Sequence, residues 1–303
     1  MRQTVKKISA LIVAALAISG FAGEAAPVLA DGWKVLNKDN AKAEKIFLAV
    51  AESAPDNVIR TQAVLGASYA LRYQQKNAQV VKMIDDHLAS APDTSKEARA
   101  HLMIFKGNAL RDMGKTQEAL ATYKAGWELN SRQYYSIECA KEYMWHAADR
   151  NLKDEAWSMY EASSKDPRTQ SNPNYLISGA WTMWKIGKAD EGMKMLEAAE
   201  KLELTDDRKE MLHRHRGYIQ RELLKDYDGA VKSFETAIKF AGNRKSQVAV
   251  IWNNIGSAWE KAQEYEKALE AYKKVGTFNV KGWFVKSAEM SAKRMEKKIN
   301  SGE

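Results

Sequence analysis

Residues 249–280 read AVIWNNIGSAWEKAQEYEKALEAYKKVGTFNV, and two helical faces stand in them. Trp252, Ile255, Gly256 and Trp259 fall at i, i+3, i+4 and i+7, one apolar face of a helix. A polar break follows at Gln263–Glu264, and Ala268, Tyr272 and Val275 then make a second face. Gly256 and Ala268 are small where two helices of a hairpin approach most closely. Trp259 and Tyr272 are bulky and fill the space beside them.

Weaker copies recur toward the N-terminus. The openings of the second helices fall at residues 43, 80, 119, 156, 192, 230 and 268, at intervals of 37, 39, 37, 36, 38 and 38. Most of them are Gly or Ala, and the rest of each face follows four and seven positions later. Those sets are Phe47 with Val50, Ile84 with His87, Tyr123 with Gly126, Tyr160 with Ser163, Leu196 with Ala199, and Phe234 with Ala237. Pro55, Pro92 and Pro167 stand where helices should end, because proline cannot continue one. First-helix faces recur as well, in Leu65, Gly66 and Tyr69, in Gly107 and Leu110, and in Ala180 and Met183. The copy around Ala140–Ser164 lacks its first-helix glycine, and the register near Gly217-Tyr218 is open by one residue.

This pattern resembles the tetratricopeptide repeat, W-x2-L-G-x2-Y followed by A-x3-F and often Pro, with Val280 where that proline would stand. The resemblance implies an all-α, right-handed superhelical solenoid of antiparallel helix pairs, with about six repeats plus caps. It also implies that first helices line a concave surface. The array is expected over residues 31–282, with 31–55 as a half unit closing the front and 283–303 as a polar capping helix.

Residues 1–30 read as a secretory signal peptide. Arg2, Lys6 and Lys7 precede an apolar run from Ile8 to Ala22, and Val28-Leu29-Ala30 offers a cleavage site before Asp31. A membrane anchor is the other reading, but the run is shorter than the ~20 residues a bilayer needs. The protein is therefore expected to be exported, to a bacterial periplasm or beyond the cell, with no stable membrane insertion after cleavage. Cys139 is the one cysteine of the chain, so no internal disulfide stabilises it. It reads as a small buried helix residue. The formal net charge of +8 includes Arg2, Lys6, Lys7 and Glu24 of the leader, which leaves a modest excess spread over many helices.

The informative side chains are those on first helices that the core does not need. Reading Ala140, Tyr143, Met144 and Ala147 as one core face leaves Trp145 off it. Reading Leu176, Gly179, Ala180 and Met183 as another leaves Trp181 and Trp184 off it. Tyr218 takes a similar place in one of its two registers, and Lys141, Arg214 and Arg221 accompany it. These seven are the candidate ligand-binding residues, since aromatic anchors and arginine dominate binding hot spots. Two readings stand for the tryptophans: they line a groove, or they pack between repeats. Trp157, Trp252 and Trp259 read as core.

Other chemistry finds little support in the sequence. Asn108, Lys141 and Asn253 occur on first helices, but adjacent units lack the Lys-plus-Asn spacing with which such domains grip a C-terminal carboxylate. His213 and His215 flank Arg214 at i, i+2, whereas helical zinc pairs use i, i+4. No nucleophile elbow, phosphate-cradling glycine loop or zinc signature is present. The basic run Lys293, Arg294, Lys297 and Lys298 reads as a solvated end-helix face, or as a contact to anionic lipid or polysaccharide. The expected function is that of a non-catalytic scaffold, without cofactor, metal or nucleic acid, holding a protein or peptide partner in its groove. The alternative is a cell-envelope glycan- or lipopolysaccharide-binding protein using the same aromatics.

Overall fold

The computed structural model describes residues 25–132 and 134–301. The charged start and apolar run of the expected export signal lie outside the described residues. Within them the elements are helices, and two compact units divide between His146 and Ala147.

The first unit contains α1 (Ala25–Val35), α2 (Asn40–Ser53), α3 (Asn57–Tyr73), α4 (Asn77–Ser90), α5 (Lys96–Asp112), α6 (Thr116–Glu128) and most of α7 (Tyr134–Asp149). Consecutive helices pack as antiparallel pairs joined by short turns. The half unit expected over 31–55 is a whole pair, because α1 supplies the missing first helix. Leu29 and Trp33 of α1, with Leu36 just after it, are buried in one cluster with Phe47 and Val50 of α2. A Cβ on Gly32 or on Gly66 would come within 2.6 Å of the Phe47 ring, so one aromatic seats against two first helices. The expected cleavage position, Ala30–Asp31, falls inside α1. Tyr123 of α6 repeats the arrangement with Gly107 of α5. Cys139 is buried as expected: its Sγ donates to the Ala100 carbonyl at 3.4 Å, and burial raises the thiol pKa.

The second unit holds the end of α7, α8 (Lys153–Ser163), the single turn α9 (Pro167–Gln170), α10 (Pro173–Ile186), α11 (Ala189–Glu200), α12 (Asp206–Ile219), α13 (Tyr227–Ala241), α14 (Lys245–Lys261), α15 (Tyr265–Thr277) and α16 (Trp283–Ser301). Gly217 faces the Phe234 ring and Gly256 the Tyr272 ring, each with room for no more than a hydrogen. The open register near Gly217-Tyr218 is thereby fixed, with Gly217 on the core side. In the pair without a first-helix glycine, Met144 is buried instead, and Tyr160 is left half-buried. Pro167 does more than end α8, since it opens α9 behind the Asp166 cap. Among the described residues there are seven pairs and a closing helix, where about six repeats plus caps were expected.

The turn inside each pair has one recurrent geometry. Asn37, Gln75, Gly114, Asn151, Gly187, Lys225 and Gln263 all carry positive φ, from 59° to 82°. In most of these turns the next N–H reaches back five residues, as from Lys115 to Leu110 at 2.9 Å and from Glu264 to Trp259 at 3.0 Å. This left-handed cap satisfies carbonyls that the helix end would otherwise leave open. The α12–α13 turn departs from it. There Gln220–Leu224 forms a π turn, and the Asp226 N–H reaches back six residues to Gln220.

Three tryptophans read as core are only half-buried. Trp252 and Trp259 pack on the core, and their outer sides lie under Lys274 at 4.1 Å and Lys267 at 4.7 Å. Trp157 lies under Lys188 at 4.3 Å. The lysine stems shield rings that the helix pair alone does not cover.

Candidate functional site

In the second unit, the first helices α10, α12 and α14 build a connected aromatic and cationic face. Asn172 caps α10 by accepting from the Tyr175 N–H, and Pro173 opens the helix. Leu176, Gly179, Ala180 and Met183 are buried as the pattern requires, which turns Trp181 and Trp184 off the core. On α12, the contact of Gly217 with Phe234 turns Tyr218 toward the same side. Trp184 and Tyr218 stack with centroids 5.1 Å apart at 26°, and Trp181 meets Trp184 edge-on at 6.2 Å. The guanidinium groups of Arg214 and Arg221 lie 5.9 and 5.6 Å from the Tyr218 ring. Lys185 lies about equally close to both tryptophans, at 5.4 and 5.5 Å.

Hydrogen bonds fix these cations. Arg214 Nε donates to Glu210 Oε1 at 2.7 Å, and Gln247 of α14 donates to the same oxygen at 3.0 Å. Arg221 is 8% exposed; its Nε donates to Glu222 and its Nη1 to both the carbonyl and Oδ1 of Asn254. Asn254 in turn donates to the Tyr218 hydroxyl at 3.3 Å. Burial opposes the Arg214 charge, yet Tyr218 and Glu210 outweigh it and raise the pKa. Burial likewise opposes the Glu222 charge, but Arg221 and Lys261 hold its carboxyl below the ordinary range. His215 sits behind this face, its Nδ1 3.0 Å from the Ile177 carbonyl, with burial pushing it down to about 3. His213 instead stacks on Phe240 at 5.7 Å, so the two histidines point to different places. Among the described residues no three His, Cys, Asp or Glu side chains are grouped to hold a metal.

Trp145 and Lys141 belong to the first unit. The Arg111 guanidinium lies 5.6 Å from the Trp145 ring. Lys141 is engaged by Glu138 and by Glu142, the latter at 3.0 Å. Burial works against its charge, and the two carboxylates more than restore it, so its pKa is raised.

The first unit also contains a cleft that the sequence did not single out. It holds about 500 Å³ between α3, α5 and α7, with Tyr69, His101, Phe105, Tyr135, Glu138 and Glu142 among its walls. His101 stacks on Tyr135 at 4.1 Å and 12°, and Tyr69 meets Phe105 edge-on at 4.4 Å. Burial pushes His101 down to about 4 and raises Tyr69 to about 12. A signal for this cleft and for the aromatic face of the second unit was available: the stacked pairs 101 with 135 and 184 with 218 are each thirty-four residues apart. That is this chain's repeat less about one helical turn, which places the partners on successive first helices.

No protein-family model and no curated protein sequence matches the chain. Solved structures do. A tetratricopeptide repeat protein from Parabacteroides merdae superposes with a TM-score of 0.55 at 14% identity, over 90% of this chain and 100% of that one. The C-terminal part of a repeat-containing protein from Cytophaga hutchinsonii gives 0.54 at 12% identity, over 87% and 98%. The chain has the tetratricopeptide-repeat fold. The apo form of RapI is similar too, with a TM-score of 0.53 at 12% identity over 84% of this chain and 76% of that one. In this tetratricopeptide-like protein, no described helix is long and apolar enough to cross a membrane.

Proposed function

We propose that this tetratricopeptide-like chain is an exported, non-catalytic scaffold that holds a protein or peptide segment against its first helices. The observation that carries the reading is the Trp184–Tyr218 stack, flanked by Arg214 and Arg221 and tied to α14 through Asn254. These side chains are already ordered by one another, so a bound segment meets them with little further loss of rotamer freedom. Half-buried rings next to guanidinium groups suit peptide side chains, carbonyls and carboxylates together. Sugar stacking is less well served, because it needs an open ring face, and the Tyr218 ring already has Trp184, Arg214 and Arg221 against it.

Pull-down from an envelope extract tests the proposal with the wild-type chain beside a Trp181→Ala/Trp184→Ala variant. A discrete protein retained by the wild type and lost by the variant is the expected outcome. Retention on purified glycan that the variant loses would establish the glycan reading instead. Robust hydrolase turnover by the purified chain would overturn the non-catalytic part.

A further inference from the structure

Helix α16 packs on the preceding pair through Phe284, Ala288, Ser291 and Met295, all buried. Trp283, Lys286, Met290, Lys293 and Lys297 are all exposed. At 3.6 residues per turn these five fall within about 80° of arc and along about 21 Å of helix. They therefore form one narrow stripe on the outer side. Trp283 is 76% exposed and Met290 57%, two large apolar side chains left in water. The basic run at the chain's end is divided by this geometry. Arg294 turns back to Glu260 at 2.8 Å, and Lys298 lies 4.6 Å from the Tyr265 ring. Lys286, Lys293 and Lys297 point outward, with no ion-pair partner among the described residues. The acids Glu289 and Glu296 keep to one margin of the stripe, and Glu296 is engaged by Lys273 at 2.8 Å.

We infer that this stripe docks the protein on an anionic phospholipid surface. Lysines near such a surface are attracted by its potential. A tryptophan ring is favoured at the headgroup level, and a methionine beside it sinks into the boundary below. The two chemistries alternate along a single line, as a helix lying flat on a bilayer requires. A second copy of α16 fits poorly, because three of the five seam positions are lysine and would meet like charges. A polysaccharide would answer the lysines and leave Met290 in water.

The test is co-sedimentation of the full chain with two kinds of vesicle: phosphatidylcholine alone, and phosphatidylcholine mixed equally with phosphatidylglycerol. Binding to the mixed vesicles is expected to exceed binding to the neutral ones and to fall with salt. Each lysine is worth about five-fold in affinity, so K286E/K293E/K297E should weaken it on the order of 100-fold or more. Trp283→Ala should weaken it about ten-fold. The apolar leader is common to all these chains, so differences among them report the stripe. Thermal melts of the variants should match the wild type, since the positions are exposed. Equal partition of wild type and triple variant, or binding indifferent to lipid charge, would overturn the inference. So would retention on an acidic protein or polysaccharide with none on the vesicles.

Discussion

Gly217→Ala tests the close contact that joins α12 to α13, which recurs between Gly107 and Tyr123 and between Gly256 and Tyr272. Replacing a helix-interior glycine by alanine ordinarily stabilises by about 1 kcal/mol, through lower backbone entropy in the unfolded chain. Here the added Cβ would lie 2.6 Å from Cε1 and 2.8 Å from Cδ1 and Cζ of Phe234. Those are atoms of a rigid ring with no exposed surface, so the strain cannot be relieved by swinging a flexible end. Either helix must retreat by nearly 1 Å, at an overpacking cost of about 1–3 kcal/mol. The cost is expected toward the upper half of that range, giving a net loss of about 1–2 kcal/mol. Gly276 is the internal comparison: it lies in α15, and a Cβ there meets nothing within 4 Å. Gly276→Ala should therefore gain up to about 1 kcal/mol. Urea unfolding followed by circular dichroism reads both variants against the wild type. Combining Gly217→Ala with Phe234→Leu should recover part of the loss, because the shorter side chain vacates the space. A Gly217→Ala protein as stable as the wild type, or stabilised like Gly276→Ala, would refute the close-approach account.

Two further outcomes are expected. Burial holds His215 and His101 neutral, pushing them from 6.5 down to about 3 and about 4, so below pH 6.5 the unfolded chain takes protons that the folded chain refuses. Stability should consequently fall as pH drops through that window. His101→Phe, which keeps a ring against Tyr135, should make the loss between about pH 6 and 4.5 shallower by up to about 1.4 kcal/mol per pH unit; parallel slopes in urea titrations would contradict it. Cys139, buried and with its thiol pKa raised, should resist iodoacetamide in the native chain and react at once in concentrated urea. Mass spectrometry reads the adduct, and fast native labelling would count against the burial.

The helix pairs were legible because small and aromatic residues recur at a nearly fixed interval, and several of them, such as Gly107 with Tyr123, meet within one pair. Phe234 and Tyr272 meet Gly217 and Gly256 as the spacing implies. Helix α1 was not legible, although Leu29, Trp33 and Leu36 carry the helical period, because small residues beside an apolar run also satisfy a cleavage motif. The half-buried state of Trp157, Trp252 and Trp259 depends on where lysine stems from neighbouring turns come to rest, and spacing does not encode that. The aromatic faces were partly legible. Turning Trp181 and Trp184 off the core follows from one helix alone, but the Trp184–Tyr218 stack depends on how adjacent first helices meet. The cleft around His101 and Tyr135 was missed because each residue, taken singly, resembles packing; their relation appears only when positions on successive first helices are compared.

The ring-to-glycine contacts have a consequence for how such a chain changes over generations. Gly107 with Tyr123, Gly217 with Phe234 and Gly256 with Tyr272 each join partners fewer than twenty residues apart, inside one hairpin. What tells a hairpin its own shape therefore travels with it when a segment is duplicated, lost or exchanged. The stretches that must be re-fitted after such an event are the seams between neighbouring hairpins, which are also the places where the aromatic and cationic side chains gather. Length and specificity can then drift separately, with the shape rule copied intact and the seams rewritten.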